Sequence, residues 1–237
     1  MLSRKPGEAH VSGDLEAPND ALRNALSDVD VIAHCATGGD WRHPLKDVVQ
    51  TRNLLAAVGD ARPHIVYISI IGVDRIRLGY YRAKLLSERL IAASGLRWTV
   101  LRATQFHELV LMLAMMLSKG PVAFAPRGMR SQPVDVGEVA DRMTDLVLGD
   151  PVGRARDLGG PRVEELSEAI GAYLVATGKH KPLLQVPTFG RVASEFREGL
   201  HLPGPDAELG ERTFSEYLRE RVAEGTATKP PYVLAGR

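Results

Sequence analysis

Ile65-Val66-Tyr67-Ile68-Ser69-Ile70-Ile71 is the stretch whose reading decides the fold class. It is dense in β-branched residues and has no polar/apolar alternation. Such a run predicts a strand covered on both faces, the kind found in parallel sheets with helices above and below. Working upstream, Leu45 to Val58 has helical spacing, with Leu45, Val48, Val49, Leu54 and Leu55 as apolar positions. Before it, Val29 to Ala36 reads as a short buried strand, followed by a polar loop with Gly38 and Gly39. Downstream, Tyr80 to Ala93 is helical, with a stripe of Leu85, Leu86, Leu90 and Ile91. Gly95 stops that helix, and Trp98 to Arg102 is the next strand. This strand–helix alternation predicts an α/β fold with a parallel sheet and helices on both faces. Sheets of this kind place ligands at the carboxyl ends of their strands, so the loops after Ala36, Ile71 and Arg102 are the expected site of chemistry.

Composition agrees with a folded enzyme or binding domain. The chain has 237 residues, 44% hydrophobic and 25% charged, enough for a sizeable core and too apolar for wholesale disorder. A net charge of +1 argues against a dedicated nucleic-acid binder. The single cysteine, Cys35, excludes an internal disulfide framework and a Cys-rich zinc site; its size suits a small core residue. The first residues turn polar at once, and the longest apolar run, Leu109 to Leu117, is nine residues. A spanning helix needs ~20, so neither a secretory signal nor a membrane span is expected, and the location read from this is cytoplasmic.

Beyond Leu109 the rhythm loosens. Val122 to Ala125, Gln132 to Val136 and Leu183 to Val186 are strand candidates. Gly137 to Leu148 and Val163 to Ala176 are helical, and Thr213-Phe-Ser-Glu216 fits a capping box opening a last helix through Val222. We divide the chain into a core over residues 1–160 and a smaller substrate lobe over 161–237, to which residues 105–130 also contribute.

The sharpest chemical feature is Tyr80-Tyr-Arg-Ala-Lys84. Residues four apart share a helical face, so Tyr80 and Lys84 project together. A nearby ammonium lowers a phenol's pKa from ~10, which suits proton transfer at neutral pH. Tyr81 lies ~100° round the helix and loses that relation. Ser69, eleven residues before Tyr80, is placed to hydrogen-bond a substrate oxygen. The histidines show no metal-ligand spacing.

These segments together resemble a family. Ile68-Ser-Ile-Ile-Gly-Val73, Tyr80-Tyr-Arg-Ala-Lys84 and Trp98-Thr-Val-Leu-Arg-Ala-Thr-Gln-Phe-His107 resemble the atypical short-chain dehydrogenase/reductases, in their NmrA-like, NAD(P)-binding, sugar-epimerase-related branch. Leu2 to Pro6, Gly13-Asp-Leu15, Val29 to Ala36 and Pro133 to Ala140 extend the likeness over roughly residues 1–160. The resemblance implies a Rossmann-type fold and a nicotinamide cofactor, with Ser69, Tyr80 and Lys84 as the catalytic set. It makes Tyr80 the proton donor or acceptor and gives Lys84 the nicotinamide ribose. Arg4, with Lys5 beside it, matches the position that binds the NADP 2′-phosphate, so NADP(H) is expected over NAD(H). Asp14 and Leu15 match the adenine-contacting pair, and Cys35, Ala36 and Thr37 match the loop beside the cofactor. Ala103 and Thr104 would flank the nicotinamide, with Gln105 and Phe106 beginning the substrate pocket. Read from the residues alone, Arg4 and Lys5 equally suit solvated charges, and Asp14 a turn cap.

The family opens with a strand, a glycine-rich turn and a helix that present backbone N–H groups to the pyrophosphate. The sequence shows no such segment ahead of Leu2. Without that strand, in the order 3-2-1-4-5-6, the second and third strands have no neighbour bridging them to the fourth. Either the chain start is truncated, or the protein works without a dinucleotide. Three functions follow: an NAD(P)H-dependent oxidoreductase acting on a small carbonyl or alcohol, an NADP-sensing regulatory protein, or a cofactor-independent lyase, isomerase or cyclase. The expected partner is a small molecule, not nucleic acid or membrane, and the fold allows a homodimer.

Overall fold

The structure is a computed structural model that describes residues 2–3, 11–17, 20–37 and 43–231. Its strands are β1 (Leu2–Ser3), β2 (Val11–Ser12), β3 (Val31–His34), β4 (His64–Ile70), β5 (Arg97–Ala103), β6 (Ala123–Pro126), β7 (Arg130–Ser131), β8 (Gly153–Arg154), β9 (Leu158–Gly159), β10 (Glu164–Glu165), β11 (Leu183–Val186) and β12 (Glu208–Leu209). Its helices are α1 (Asp20–Leu26), α2 (Leu45–Val58), α3 (Gly79–Ala92), α4 (His107–Leu117), α5 (Val136–Leu148), α6 (Leu166–Ala176), α7 (Arg191–Arg197) and α8 (Phe214–Ala223).

The main sheet is parallel throughout, in the order β12-β9-β5-β4-β3, with β8 also on β5. This is the Rossmann-type α/β architecture expected. Strand alternation divides the core between two faces. Ile65, Tyr67, Val100 and Trp98 pack with Leu55 of α2 and Ile91 of α3. Val66, Ile68, Leu101 and Ala103 pack with Val139, Met143 and Leu146 of α5. A second core joins α4, α6 and α8 around Leu111, Ile170, Tyr173 and Phe214, beneath the β6–β11 pair.

β1 and β2 form a separate two-stranded parallel sheet, and β3 is the last strand of the main one. The strand that joins these two in the 3-2-1-4-5-6 order is not among the described residues.

Two sequence expectations change. The segment Gln132 to Val136 is not a strand: β7 lies at Arg130–Ser131, Val134 makes one bridge to Phe106, and α5 already begins at Val136. Asp135 causes this early start, because its carboxylate caps the helix by accepting from Gly137 N at 2.7 Å. The apolar stripe read on α2 holds at Leu54 and Leu55 but fails in the first turns of the helix. Leu45 is 62% exposed and Val49 is exposed, while Asp47, Gln50, Thr51, Leu54, Ala57 and Val58 are buried.

Two glycines let chain segments close over the sheet's carboxyl edge. Gly72 takes φ +87° in the turn after β4, where a Cβ would stand 2.5 Å from the Leu200 carbonyl oxygen. At Gly160 a Cβ would stand 1.8 Å from the Pro133 oxygen. Gly160→Ala is therefore expected to cost about 1–3 kcal/mol by forced overpacking. Gly120→Ala, where the nearest atom is 3.6 Å from the added Cβ, should stay within about 0.5 kcal/mol. Thermal or denaturant unfolding of the two variants checks the contrast.

Candidate active site

Tyr80 stands in the first turn of α3, and Lys84 follows one turn later on the same side. The Lys84 ammonium lies 5.9 Å from the Tyr80 ring centre and 5.0 Å from that of Tyr67 on β4. The ion partner of Lys84 is Asp47 in the first turn of α2, at 3.5 Å, with side-chain exposures of only 5% and 4%. Thr37, in the loop after β3, connects the pair to Tyr80. Its hydroxyl donates to the Asp47 carboxylate at 3.0 Å and lies 3.1 Å from the Tyr80 hydroxyl. Since a threonine hydroxyl has one hydrogen, and it goes to the carboxylate, Thr37 accepts from Tyr80. A continuous polar path thus runs from Tyr80 through Thr37 and Asp47 to Lys84, drawn from three elements at the carboxyl edge of the sheet.

This arrangement corrects the expectation that Lys84 lowers the Tyr80 pKa. Burial holds the Tyr80 phenol above its ordinary value of 10, the Thr37 hydrogen bond offsets part of this, and the Asp47 charge adds to the rise. The ammonium is committed to Asp47 instead. Burial, aided by the Lys84 charge, pushes His34 down to about 3, so His34 is a neutral ring bonded to Thr51 at 3.0 Å and packed on Tyr67. It is structural.

Ser69 is 2% exposed near the end of β4, and its Oγ has no hydrogen-bond partner. Thr104, just past β5, is buried with an equally unpartnered Oγ1. Both hydroxyls lie at the carboxyl ends of neighbouring strands with their hydrogen-bonding capacity unused. Gln105 donates its amide to the Tyr81 hydroxyl at 3.3 Å, and Phe106 caps α4 while packing against the α5-side core.

Other assigned positions divide. Ala103 is buried, with its side chain in the core shared with α5. Ala36 is half-buried against the α1–α2 cluster. Cys35 is exposed, not the core residue its size suggested, because the chain has left β3 at His34. Asp14 closes its own turn, accepting from Glu16 N at 2.8 Å. Leu15 is packed into the core with Leu22, Leu26 and Leu54, so its side chain serves the fold. Arg4, Lys5, Gly38 and Gly39 lie outside the described residues. Among the described residues no group of His, Cys, Asp and Glu is gathered to hold a metal, and no helix is long and apolar enough to cross a membrane.

Sequence reasoning missed Asp47. Its signal was present: Asp47, Gln50, Thr51 and Leu54 follow the three- and four-residue spacing of one helical face. Counting only apolar residues as buried hid it. Removing one partner of a buried pair leaves an uncompensated charge, worth about 3–5 kcal/mol. Asp47→Ala is therefore expected to destabilise the chain by roughly that amount. Adding Lys84→Met should recover part of the loss, a positive coupling that urea unfolding of the single and double variants measures.

Residues 1–109 match a family model described as NAD(P)H-binding. No curated protein matches the sequence. Solved structures match in fold. A nucleoside-diphosphate-sugar epimerase from Staphylococcus aureus superposes with a TM-score of 0.69 at 15% identity, over 89% of this chain and 83% of that one. RMD from Pseudomonas aeruginosa, in complex with NADPH, gives 0.62 at 16%, over 94% and 92%. Pen from Bacillus thuringiensis gives 0.59 at 13%, over 76% of this chain; only 62% of its own length is spanned. These identities speak for the fold alone. Residues 1–109 thus match a family model described as NAD(P)H-binding, and the chain shares its Rossmann-type fold with solved structures that include a nucleoside-diphosphate-sugar epimerase.

Proposed function

We propose that this protein is an NADP(H)-dependent oxidoreductase acting on a small organic carbonyl or alcohol, with Tyr80 as proton donor and acceptor. The observation that carries the reading is the path Tyr80–Thr37–Asp47–Lys84, set beside the orphaned Ser69 hydroxyl at the carboxyl edge of a parallel sheet. A merely structural tyrosine does not need a threonine, a buried carboxylate and a buried ammonium behind it.

The residues present fit the nicotinamide half of such a cofactor. Ser69 and Thr104 offer unpartnered hydroxyls, Thr37 is exposed at the site, and Lys84 has three donor hydrogens, of which Asp47 uses only part. Lys84 would hold the ribose, and Arg4 with Lys5 would take the 2′-phosphate. The bound nicotinamide would supply or accept a hydride at the substrate carbon. In the reducing direction Ser69 Oγ–H donates to the carbonyl oxygen and orients it. Tyr80 then transfers its phenolic proton to that oxygen. The phenolate takes its replacement proton from solvent water, while the Thr37 hydroxyl turns from Asp47 to donate a hydrogen bond to it. The substrate is a free small molecule met in the cytoplasm. Two copies would pair through the outward side of α2, where Leu45 and Val49 are exposed.

Tyr80→Phe should lower kcat by about 10²–10⁴-fold while leaving the unfolding midpoint and NADPH affinity in place. Retained turnover would refute the reading. Because burial raises the Tyr80 pKa above 10, the phenol remains protonated through neutral pH. Carbonyl reduction, which uses the phenol, should be flat from neutral pH to the ordinary phenol range and fall above it. Alcohol oxidation, which uses the phenolate, should rise with pH over the same range. Arg4→Ala should weaken NADPH about tenfold or more and NADH little, as direct titration would show.

A further inference from the structure

We propose that the outward face of the β6–β11 pair docks the protein on an anionic lipid bilayer, its cations meeting the headgroups and its apolar side chains entering the interface. This surface belongs to the lobe built from α4, α6, β6 and β11, apart from the path that joins Tyr80 to Lys84.

Charge is distributed unevenly along the chain. Residues 109–134 and 169–194 contain no Asp or Glu, yet they hold Lys119, Arg127, Arg130, Lys179, Lys181 and Arg191. The whole chain is only +1, so acids outnumber bases elsewhere. The fold brings the two basic stretches together: α4 packs against α6, and β6 pairs in parallel with β11. Of the six cations only Arg191 has a carboxylate partner among the described residues, Glu195 at 3.2 Å. Lys179 donates to the Tyr173 hydroxyl at 2.7 Å. Lys181 donates to the carbonyls of Ser118 and Gly120 at 2.8 and 2.7 Å. Neutral oxygens thus position these two ammoniums without cancelling their charge. The Lys181 bonds also tie the turn before β6 to the turn before β11, which gathers Lys119, Lys179 and Lys181 at one end of the pair. Arg127 stands at the other end, its N–H donating to the Val186 carbonyl at 2.9 Å.

The apolar groups follow from the pleat of the strands. Ala123, Ala125 and Leu183 point inward and pack with α4 and α6. Phe124 and Leu184, opposite each other in the register, point the other way and are exposed. Met116 of α4 and Val175 of α6, the latter 82% exposed, carry the apolar surface to the lysine end. Phe189, 86% exposed, carries it past the carboxyl end of β11. Large apolar side chains are unremarkable on a surface when scattered singly, but several on one lobe rimmed by uncompensated cations mark an interaction surface. Protein–protein interfaces are depleted in lysine, whereas lysines supply half of the cations here. Phe, Leu and Val set among Lys and Arg suit the boundary between headgroups and acyl chains, where long lysine stems carry their charge to the phosphates. The expectation of no membrane partner rested on the length of the longest apolar run; a surface that rests on a bilayer needs no spanning segment.

The test is co-sedimentation of the full chain with phosphatidylcholine vesicles that do or do not carry phosphatidylglycerol. Saturable binding to the anionic vesicles, about tenfold or more stronger than to the neutral ones, is expected. Lys119→Gln and Arg127→Gln should each weaken it about fivefold and flatten its salt dependence. Phe189→Ser and Val175→Ser should weaken it several-fold and leave the salt dependence in place. All four side chains are exposed, so the melting temperature should hold in each variant. A tryptophan introduced by Phe189→Trp should be quenched by lipids with brominated acyl chains, beyond any quenching of the native tryptophans. Absence of binding to the anionic vesicles, or absence of that quenching, overturns the proposal. Binding that only the two cation variants weaken, and that soluble poly-glutamate displaces, overturns it as well and assigns the face to an acidic protein surface.

Discussion

The site depends on one buried interaction, the Asp47–Lys84 pair between the first turn of α2 and the second turn of α3. Two charges withdrawn from water are costly unless they meet each other and further polar groups. Here they do both: Thr37 bonds the carboxylate, and the Tyr67 ring lies under the ammonium. The pair fixes the two helices against each other on one face of the sheet. It also fixes Thr37, and through it the Tyr80 hydroxyl. A hydrophobic pair in the same place would hold the helices equally well, but it could neither bond the Thr37 hydroxyl nor offer an ammonium to a ligand.

The rest of α2 follows from that commitment. Its buried face opens with Asp47, Gln50 and Thr51 and becomes apolar only at Leu54, Ala57 and Val58. Each polar member finds a partner, although Gln50 Oε1 is left without one. Gln50 donates to Glu16 at 3.1 Å, and Thr51 meets His34 at 3.0 Å while donating to the Asp47 carbonyl at 2.9 Å. The same holds one turn further along α3, where Glu88 receives a two-pronged bond from Arg102 at 2.8 and 2.7 Å, with Asp74 on the other side of the guanidinium. The polar half of the α2–α3 layer lies toward the sheet's carboxyl edge and the apolar half toward its other end. Polar pairing is concentrated at one end and apolar packing at the other.

This division explains what was legible in the sequence. The elements that are apolar for their own sake were readable: β4 and β5 from their β-branched runs, α2 from its spacing at Leu45–Val58, and the α8 start from Thr213 and Glu216, which form the reciprocal cap. That Tyr80 and Lys84 share one side of α3 was readable from their four-residue spacing. Asp47 was not, since a carboxylate in a helix reads as solvated surface until its partner is known. His201 was further out of reach, because its bond to the Arg130 carbonyl spans 71 residues. The two-residue strands β8, β9 and β12 join the sheet through pairings too short to leave a periodic signal. Leu15 and Cys35 exchanged roles for a local reason: a turn closed by Asp14 sends Leu15 inward, and the chain leaving β3 leaves Cys35 exposed.

β1 and β2 pair with each other in a sheet separate from the one that β3 ends. The most direct test is a titration of the 237-residue protein with NADPH, followed by the fluorescence of the reduced nucleotide. Saturable binding that Lys84→Met weakens is expected, because the Asp47-anchored ammonium then takes part in holding the cofactor. Absence of saturable binding, or binding indifferent to Lys84, would contradict the assignment of the Tyr80–Thr37–Asp47–Lys84 path to nicotinamide chemistry.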